Sequence, residues 1–353
     1  MSDKAQVALV NMPFSFSKYP SIQLGTLSSL LKSKEIPVDC HHLNVRFAHK
    51  IGVPLYEMIC EKRALFGEWI FSYLLFRDNP KRAEYPRLFK PLFEQLVKES
   101  GHPTSFFEDM ATRTAPQFLT WALTAIDWEQ YKIVGFTSTF DQNVASLTMA
   151  KLIKDLYPDV TIVFGGANYD GEMGLEYFRA FPFIDHVVVG EGEEVFPELV
   201  RYLLTGKVGT VPSGVTYREG TAISFTPNHS LFSDFAKTGP PDYDDYYHLL
   251  AELGEAMQGS RSNLVVRRFP GLLVGRETSL YVLRIERAKH EISGQIARAS
   301  GTGDGLPFQP LRYDAISIGG QHHRSEICRD PLRPVCRRPL RPRCVHRDQK
   351  QPP

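Results

Sequence analysis

An alternation of short apolar segments with amphipathic segments runs through the chain to about residue 265 and then stops. Alternating strands and helices of this kind are typical of an α/β domain built on a parallel sheet. After Val266 the chain becomes rich in arginine and proline, as in RDPLRPVCRRPLRPRC at 329–344. The sequence therefore divides into a part that follows α/β patterning and a part that does not.

Composition narrows the classes of function. Of the 353 residues 42% are hydrophobic, which is enough for a sizeable core, and the formal net charge of +1 predicts no nucleic-acid partner. No apolar run reaches the ~20 residues of a membrane span, and the first residues, MSDKAQVALVNMPF, do not resemble a signal peptide. The five cysteines are an odd and sparse set, which favours reduced thiols and a cytoplasmic protein.

The patterning predicts a Rossmann-like parallel sheet. Apolar segments predict strands at 6–11, 36–41, 132–137, 161–164 and 185–189. Amphipathic periodicity predicts helices at 21–32, 141–157 and 193–204, and a small hairpin is expected at 211–217 and 222–225. Residues 1–230 form the predicted first domain, and 231–265 a linker.

Residues 50–127 interrupt the alternation. They are rich in leucine and aromatic residues, as in LFGEWIFSYLLF at 65–76 and FLTWALTAI at 118–126. We predict a helical insertion that packs on or caps the sheet, with the aromatic side chains forming its core. The alternative is that these aromatic side chains form a ligand surface.

Candidate binding residues follow four predicted strands. Ligands of open parallel sheets bind at the carboxyl ends of the strands, where helix N termini expose unpaired N–H groups, and glycines there let the backbone approach a large ligand. The predicted cofactor-binding residues are Met12, Pro13, Phe14, Ser138, Thr139, Asp141, Gln142, Gly165, Gly166, Ala167, Asn168, Gly190, Glu191 and Gly192. Two alternatives remain: Ser138 and Asp141 cap the next helix, and Asn168 shapes a turn.

Neither a metal site nor a catalytic residue is predicted. The histidine pairs at 41–42 and 322–323 are adjacent and do not share a helix face. Cys328, Cys336 and Cys344 are spaced by eight, unlike the paired cysteines of zinc sites. GEGEEV at 190–195 matches a dinucleotide fingerprint only in part and comes late in the chain. The Arg/Pro-rich residues 266–353 are predicted to be disordered or loosely helical.

The block KIVGFTSTFDQNVASLTMAKLIKDLYPDVTIVFGGANYDGEMG at 132–174, with FPFIDHVVVGEGEEVFPEL at 181–199, resembles the cobalamin-binding domain of radical SAM proteins. More narrowly, it resembles the radical SAM C-methyltransferases that mature ribosomally made peptides. VALVNMPF at 7–14 and LFGEWIFSYLLF at 65–76 fit the same family, and the resemblance covers residues from about 5 to 265.

The resemblance implies cobalamin at the strand ends and a precursor peptide as substrate. It also implies a following barrel, in which three cysteine thiolates hold a [4Fe–4S] cluster that binds S-adenosylmethionine. In that family a 5′-deoxyadenosyl radical activates a carbon and methylcobalamin supplies the methyl group. The chain has no DxHxxG motif, so no histidine is expected as a ligand below the cobalt. The oligomeric state is not predicted.

The chain departs from the family where the cluster belongs. The family has segments such as GSRGCWWG and HHCTFCG there, with C-x7-C-x2-C spacing. Here the stretch is FPGLLVGRETSLYVLRIERAKHEISGQIA at 269–297, and no cysteine occurs from 61 to 327. Read one nucleotide later, codons that this sequence permits encode cysteines at shifted codons 272, 280 and 283. We hypothesise a one-base frame shift near codon 265; the alternative is a divergent C-terminal domain.

These observations predict the cobalamin-binding part of a radical SAM C-methyltransferase, inactive as written because no thiolates are placed to build the cluster. A second hypothesis is a stand-alone cobalamin carrier or sensor that works with a separate enzyme. A third is a nucleotide-dependent Rossmann enzyme, which the missing early GxGxxG disfavours.

Overall fold

The structure is a computed structural model that describes residues 5–62, 64–225 and 239–254. Its strands are β1 (Val7–Asn11), β2 (Val38–His42), β3 (Ile133–Thr137), β4 (Thr161–Gly165), β5 (His186–Val188), β6 (Val215–Glu219) and β7 (Ala222–Ser224). They form one sheet in the order β2-β1-β3-β4-β5-β6-β7. The first five strands are parallel, and β6 and β7 are added antiparallel. The predicted α/β, Rossmann-like sheet is confirmed.

Continuous apolar strands explain why the sheet is covered on both faces. All five residues of β1 are buried, as expected for a parallel strand between two helical layers. Because side chains alternate along a strand, Val7 and Leu9 join one core, while Ala8 and Val10 join the other.

Helices occupy both faces of the sheet. They are α1 (Ile22–Lys32), α2 (Leu43–Ile51), α3 (Val53–Cys60), α4 (Phe66–Leu75), α5 (Lys81–Leu88), α6 (Lys90–Ser100), α7 (Thr104–Asp109), α8 (Ala115–Ala125), α9 (Asn143–Leu156), α10 (Gly171–Ala180), α11 (Gly192–Leu204) and α12 (Asp244–Leu253). Helices α1 and α11 share the core of Val7 and Leu9. The insertion, α9 and α10 share the larger core on the opposite face.

The insertion is helical, as predicted, and comprises α2 to α8. Its aromatic side chains pack mainly on one another, as in the Phe47–Phe71 pair at 5.1 Å and the Phe47–Phe118 pair at 4.9 Å between ring centroids. These three side chains are at most 2% exposed. The core interpretation of the aromatic residues is therefore confirmed for this group, while Trp121 remains 41% exposed.

Helix α12 covers the edge of the sheet. The Cys40 N–H of edge strand β2 donates to the Asp245 carboxylate at 3.0 Å, and the Tyr246 hydroxyl donates to the Ser17 carbonyl at 2.9 Å. An uncovered edge strand would expose unpaired backbone groups, so α12 satisfies one of them and shields the strand. This part of the predicted linker thus packs on the sheet.

Several predictions concern residues outside the described ranges. They include the tail at 266–353, the histidines at 322–323 and the cysteines Cys328, Cys336 and Cys344. Within the described ranges, no helix combines the length and the apolar character that crossing a membrane requires.

We expect Gly25→Ala to loosen α12. A Cβ at Gly25 would lie 2.5 Å from the Tyr243 ring and 3.0 Å from the Asp242 carbonyl, immediately before α12. Overpacking of this kind costs about 1–3 kcal/mol, which exceeds the ~1 kcal/mol that alanine gains over glycine in a helix. Chemical denaturation should show the loss, with faster proteolysis near α12. Gly192→Ala is the control, because its nearest neighbour lies 3.8 Å away; equal stability of both variants would contradict the expectation.

Candidate functional site

The carboxyl ends of the parallel strands meet at one edge of the sheet. In the order β2-β1-β3-β4-β5 the chain adds strands outward from β1 on one side and from β3 on the other, so the topological switch point lies between β1 and β3. Helix α1, which follows β1, packs on one face of the sheet, and α9, which follows β3, packs on the other. Open α/β sheets bind ligands outside the strand ends at such a point. All four predicted binding segments lie at this edge.

The amide of Gln142 joins the loops that follow β1 and β3. Its nitrogen donates to the Asn11 side-chain oxygen and to the Met12 carbonyl, both at 2.6 Å. Its oxygen accepts from the Thr139 backbone N–H at 3.1 Å and from the Thr139 hydroxyl at 2.9 Å. Gln142 is 1% exposed, so its side chain fixes the two loops to each other and does not face the solvent.

The first binding segment points into the protein. Met12 and Phe14 are buried, and the Phe14 ring stacks on Tyr56 at 5.1 Å and meets Phe71 edge-on at 5.9 Å. The Phe14 N–H donates to the Asp141 carbonyl at 3.0 Å. Met12 and Phe14 therefore anchor the β1 loop in the insertion, and Pro13 between them is also buried.

A carboxylate that the sequence analysis missed caps α9. Glu68 of α4 accepts the backbone N–H of Asn143 at 3.0 Å and that of Val144 at 2.5 Å. Burial raises the pKa of Glu68 to about 8, against the two hydrogen bonds that favour the carboxylate. Because Glu68 lies 75 residues before its partner Asn143, no local capping pattern could reveal it.

The capping alternative for Asp141 is wrong. Its carboxylate accepts the N–H of Gly67 at 3.1 Å, and α9 has no side-chain cap from its own flanking residue. Burial raises the pKa of Asp141 as well. A side chain at Gly67 would meet Phe14 at 2.6 Å and Asp141 at 2.9 Å, so glycine is needed where α4 approaches the strand ends. Asp141 thus ties the insertion to the β3 loop.

Ser138 and Asn168 hold the next two loops together. The Asn168 amide donates to the Ser138 hydroxyl at 3.0 Å and to the Phe140 carbonyl at 2.9 Å, and its N–H donates to the Ser138 carbonyl at 3.1 Å. These bonds agree with the turn-shaping interpretation of Asn168, while its contact with a cofactor stays a prediction. Gly166 has φ +95°, and a Cβ there would lie 2.7 Å from the Ser138 carbonyl oxygen. Gly165, just before it, pairs with Thr137 at the end of β4.

Within the four predicted binding segments, Phe140 and Ala167 are the exposed residues. Phe140 is 70% exposed although its φ of +50° is costly for a residue with a Cβ, and Ala167 is also exposed. On the neighbouring strand, Gly190 (φ +75°), Glu191 and Gly192 are half-buried. A non-glycine backbone outlier such as Phe140 motivates a functional hypothesis for its loop.

The described thiols do not suit a metal cluster. Cys40 and Cys60 are the free cysteines of the described ranges; burial raises the pKa of Cys40 to about 12 and that of Cys60 further. Within these ranges no group of three or more His, Cys, Asp or Glu side chains is placed to hold a metal ion. Burial lowers the pKa of His42, at the end of β2, to about 4, and its ring meets Tyr246 at 5.5 Å.

Comparisons with known proteins point to methyltransferases. The chain is 34% identical over 112 residues to an uncharacterized methyltransferase of Pyrococcus horikoshii, covering 32% of this chain and 24% of that protein. It is 37% identical over 96 residues to the cobalamin-dependent radical SAM methyltransferase TokK of Streptomyces tokunonensis, covering 27% of this chain and 14% of that protein. The chain therefore spans about a quarter or less of these relatives.

A solved structure is also similar. The radical S-adenosylmethionine methyltransferase TsrM from Kitasatospora setae, with cobalamin and a [4Fe–4S] cluster bound, matches with a TM-score of 0.36 and 15% identity. The match covers 67% of this chain and 31% of that chain. No family model matches the chain.

We expect Glu68→Gln to change how stability depends on pH. Glutamate titrates near pH ~4.3 in an unfolded chain and near pH 8 here, so between these values the folded state binds more protons. Wild-type stability should therefore fall as the pH rises through this window, by up to about 1.4 kcal/mol per pH unit, and the variant should lose this slope. Denaturation curves at several pH values measure it. Glu94→Gln, at an exposed site, is the control; parallel profiles for wild type and Glu68→Gln would contradict the expectation.

Proposed function

We propose that the described α/β unit binds cobalamin at its strand-end edge, as part of a radical SAM methyltransferase. The observation that carries this proposal is the glycine junction at Gly166, which lets the β4 loop lie against Ser138, with Ala167 and Phe140 exposed beside it. The partial similarity to the cobalamin-dependent methyltransferase TokK supports it. The resemblance of the segments at 132–174 and 181–199 supports it further.

The residues at this edge fit a large, flat ligand. The loops are fixed beneath the surface by Gln142 and Asn168, so binding requires little ordering of the chain. Phe140 and Met173, 70% and 48% exposed, offer apolar surface that a bound ring system would cover. The half-buried backbone at 190–192, which begins α11, offers N–H groups.

Bound cobalamin would supply a transferable methyl group. The residues of this chain would bind and orient it and exclude water around it. The exposed Ala167 and the half-buried Gly166 and Gly190 would contact the cofactor, whereas the buried Met12, Phe14 and Gln142 would hold the contacting loops in place. We propose no histidine ligand, because His42 is buried against Tyr246.

We further propose that this chain as written does not perform the methyl transfer. The thiols of Cys40 and Cys60 are held protonated by burial and do not fit an iron–sulfur cluster. Between residues 61 and 327 the sequence contains no cysteine. The intact gene product would bind the cluster and S-adenosylmethionine in the part that follows the described unit, and would act on a ribosomally made precursor peptide.

A stand-alone cobalamin carrier is the second candidate. It is favoured by α12, which covers edge strand β2 through Asp245 and contacts the Ser17 carbonyl through Tyr246 within the described residues. A carrier would bind cobalamin and would associate with a separate enzyme that holds the cluster.

Cobalamin binding is tested with the full chain and hydroxocobalamin. We expect retention on size-exclusion chromatography with a shifted absorbance spectrum, and no comparable binding of NAD. Gly166→Ala should weaken binding by about tenfold or more, because its Cβ would displace the Ser138 carbonyl. Gly101→Ala is the matched control: its φ is +74°, but nothing lies within 4 Å of the added Cβ.

A second variant separates binding from folding. Phe140→Ala removes an exposed ring without touching the core, so it should fold normally and still lose affinity. A folded wild-type chain that binds no cobalamin, or that binds it equally well with Gly166→Ala and Phe140→Ala, would refute the proposed site.

The frame shift is tested by sequencing codons 255–325 from fresh genomic DNA. We expect shifted codons that restore C-x7-C-x2-C, because permitted codons place cysteines at shifted positions 272, 280 and 283. If the gene has one base fewer or more than the present sequence implies, it encodes an intact enzyme. If the present sequence proves correct and its shifted codons still encode the motif, the gene is broken. Shifted codons without the motif would exclude the radical SAM proposal for this chain.

A further inference from the structure

A basic cavity lies on the flank of the insertion, between α2, α8 and α12. Its volume is about 200 Å³, and it is lined by Arg46, His49, Lys50, Phe118, Trp121 and Leu253. These helices lie beside edge strand β2 and do not include the loops after β3, β4 and β5 that form the candidate cobalamin site. The cavity is therefore separate from that site.

Arg46 presents a fixed guanidinium to the cavity. Two of its nitrogens donate to the two carboxylate oxygens of Glu252, at 3.0 and 2.9 Å, and its charge lies 5.6 Å from the centre of the Trp121 ring. This forked contact shows that the cavity wall already accommodates one carboxylate. His49 and Lys50, both exposed in the last turn of α2, add further basic groups.

The rest of the cavity wall is apolar. Phe118 stacks on Trp121 at 5.6 Å between ring centroids, and this contact holds the half-exposed indole in place. Leu253, at the end of α12, also lines the cavity. Exposed aromatic surface beside basic groups is common where proteins bind peptides, because it contacts apolar side chains while the charges select acidic neighbours.

We propose that this cavity binds an acidic peptide segment of a partner, with an apolar side chain between Trp121 and Leu253 and flanking carboxylates near Arg46 and Lys50. Charge complementarity selects such a partner over this chain itself. Of the first five charged residues that follow the described part, Glu255 is acidic and the other four, Arg261, Arg267, Arg268 and Arg276, are basic, so the basic wall would repel most of them. The proposal does not depend on cobalamin binding.

Fluorescence anisotropy of a labelled peptide tests this binding on the full chain. The probe is Glu-Glu-Leu-Glu-Glu, compared with Lys-Lys-Leu-Lys-Lys and with free glutamate. We expect saturable binding of the acidic peptide alone, weakening as salt screens the charges, together with a change in tryptophan fluorescence. Equal binding of the two peptides would overturn the proposal. Competition by free glutamate at equal concentration would also overturn it, since it would indicate a small-anion site.

Variants locate the binding. Lys50→Glu and Trp121→Ala should each weaken the acidic peptide about tenfold, and Glu252→Gln should tighten it by freeing Arg46. Lys34→Glu is the matched control: it makes the same charge change at an exposed lysine in the turn after α1, on the opposite face of the sheet. Equal losses with Lys34→Glu and Lys50→Glu, or unchanged affinity with Trp121→Ala, would place the binding elsewhere.

Discussion

The buried amide of Gln142 is the contact on which the strand-end edge depends. An amide carries both donors and an acceptor. This one side chain therefore donates to the Asn11 side chain and the Met12 carbonyl at the end of β1, and accepts from the Thr139 N–H and hydroxyl of its own loop. Neither glutamate nor leucine could make both sets of bonds, since one lacks the donor and the other lacks polar atoms. Because β1 and β3 diverge toward helices on opposite faces, this contact fixes the spacing of the two loops.

The insertion extends that contact into the protein interior. Phe14 fills a space among aromatic rings of the insertion, while Asp141 and Glu68 connect α4 with the β3 loop and with the start of α9. Two carboxylates buried close to a helix N terminus are costly unless the N–H groups there compensate them. Burial raises the pKa of both groups, so the hydrogen bonds from these N–H groups offset only part of the desolvation.

Local elements were predictable because their signals are local. The predicted strand at 6–11 is observed as Val7–Asn11 and that at 132–137 as Ile133–Thr137, since buried parallel strands are continuous apolar runs. Ser21, at the start of the predicted helix, accepts the N–H of Leu24 as its cap. The partners of Glu68 and the burial of Phe14 were not predictable, because both depend on contacts between segments far apart in the chain. The packing of α12 on β2 was likewise not predictable from the sequence, because it depends on contacts between distant segments.

Of the ten exposed large apolar side chains in the described part of the chain, four lie at the strand-end edge. These four, Phe16, Tyr19, Phe140 and Met173, are between 47% and 70% exposed, and all lie in segments that follow β1, β3 or β4 at the strand-end edge. Their loops are nevertheless held by buried hydrogen bonds, such as that between Ser17 and Glu57 at 2.6 Å. Rigid loops that present apolar surface are costly in water unless something covers them. If the unit binds cobalamin as proposed, the cofactor would cover part of this apolar surface.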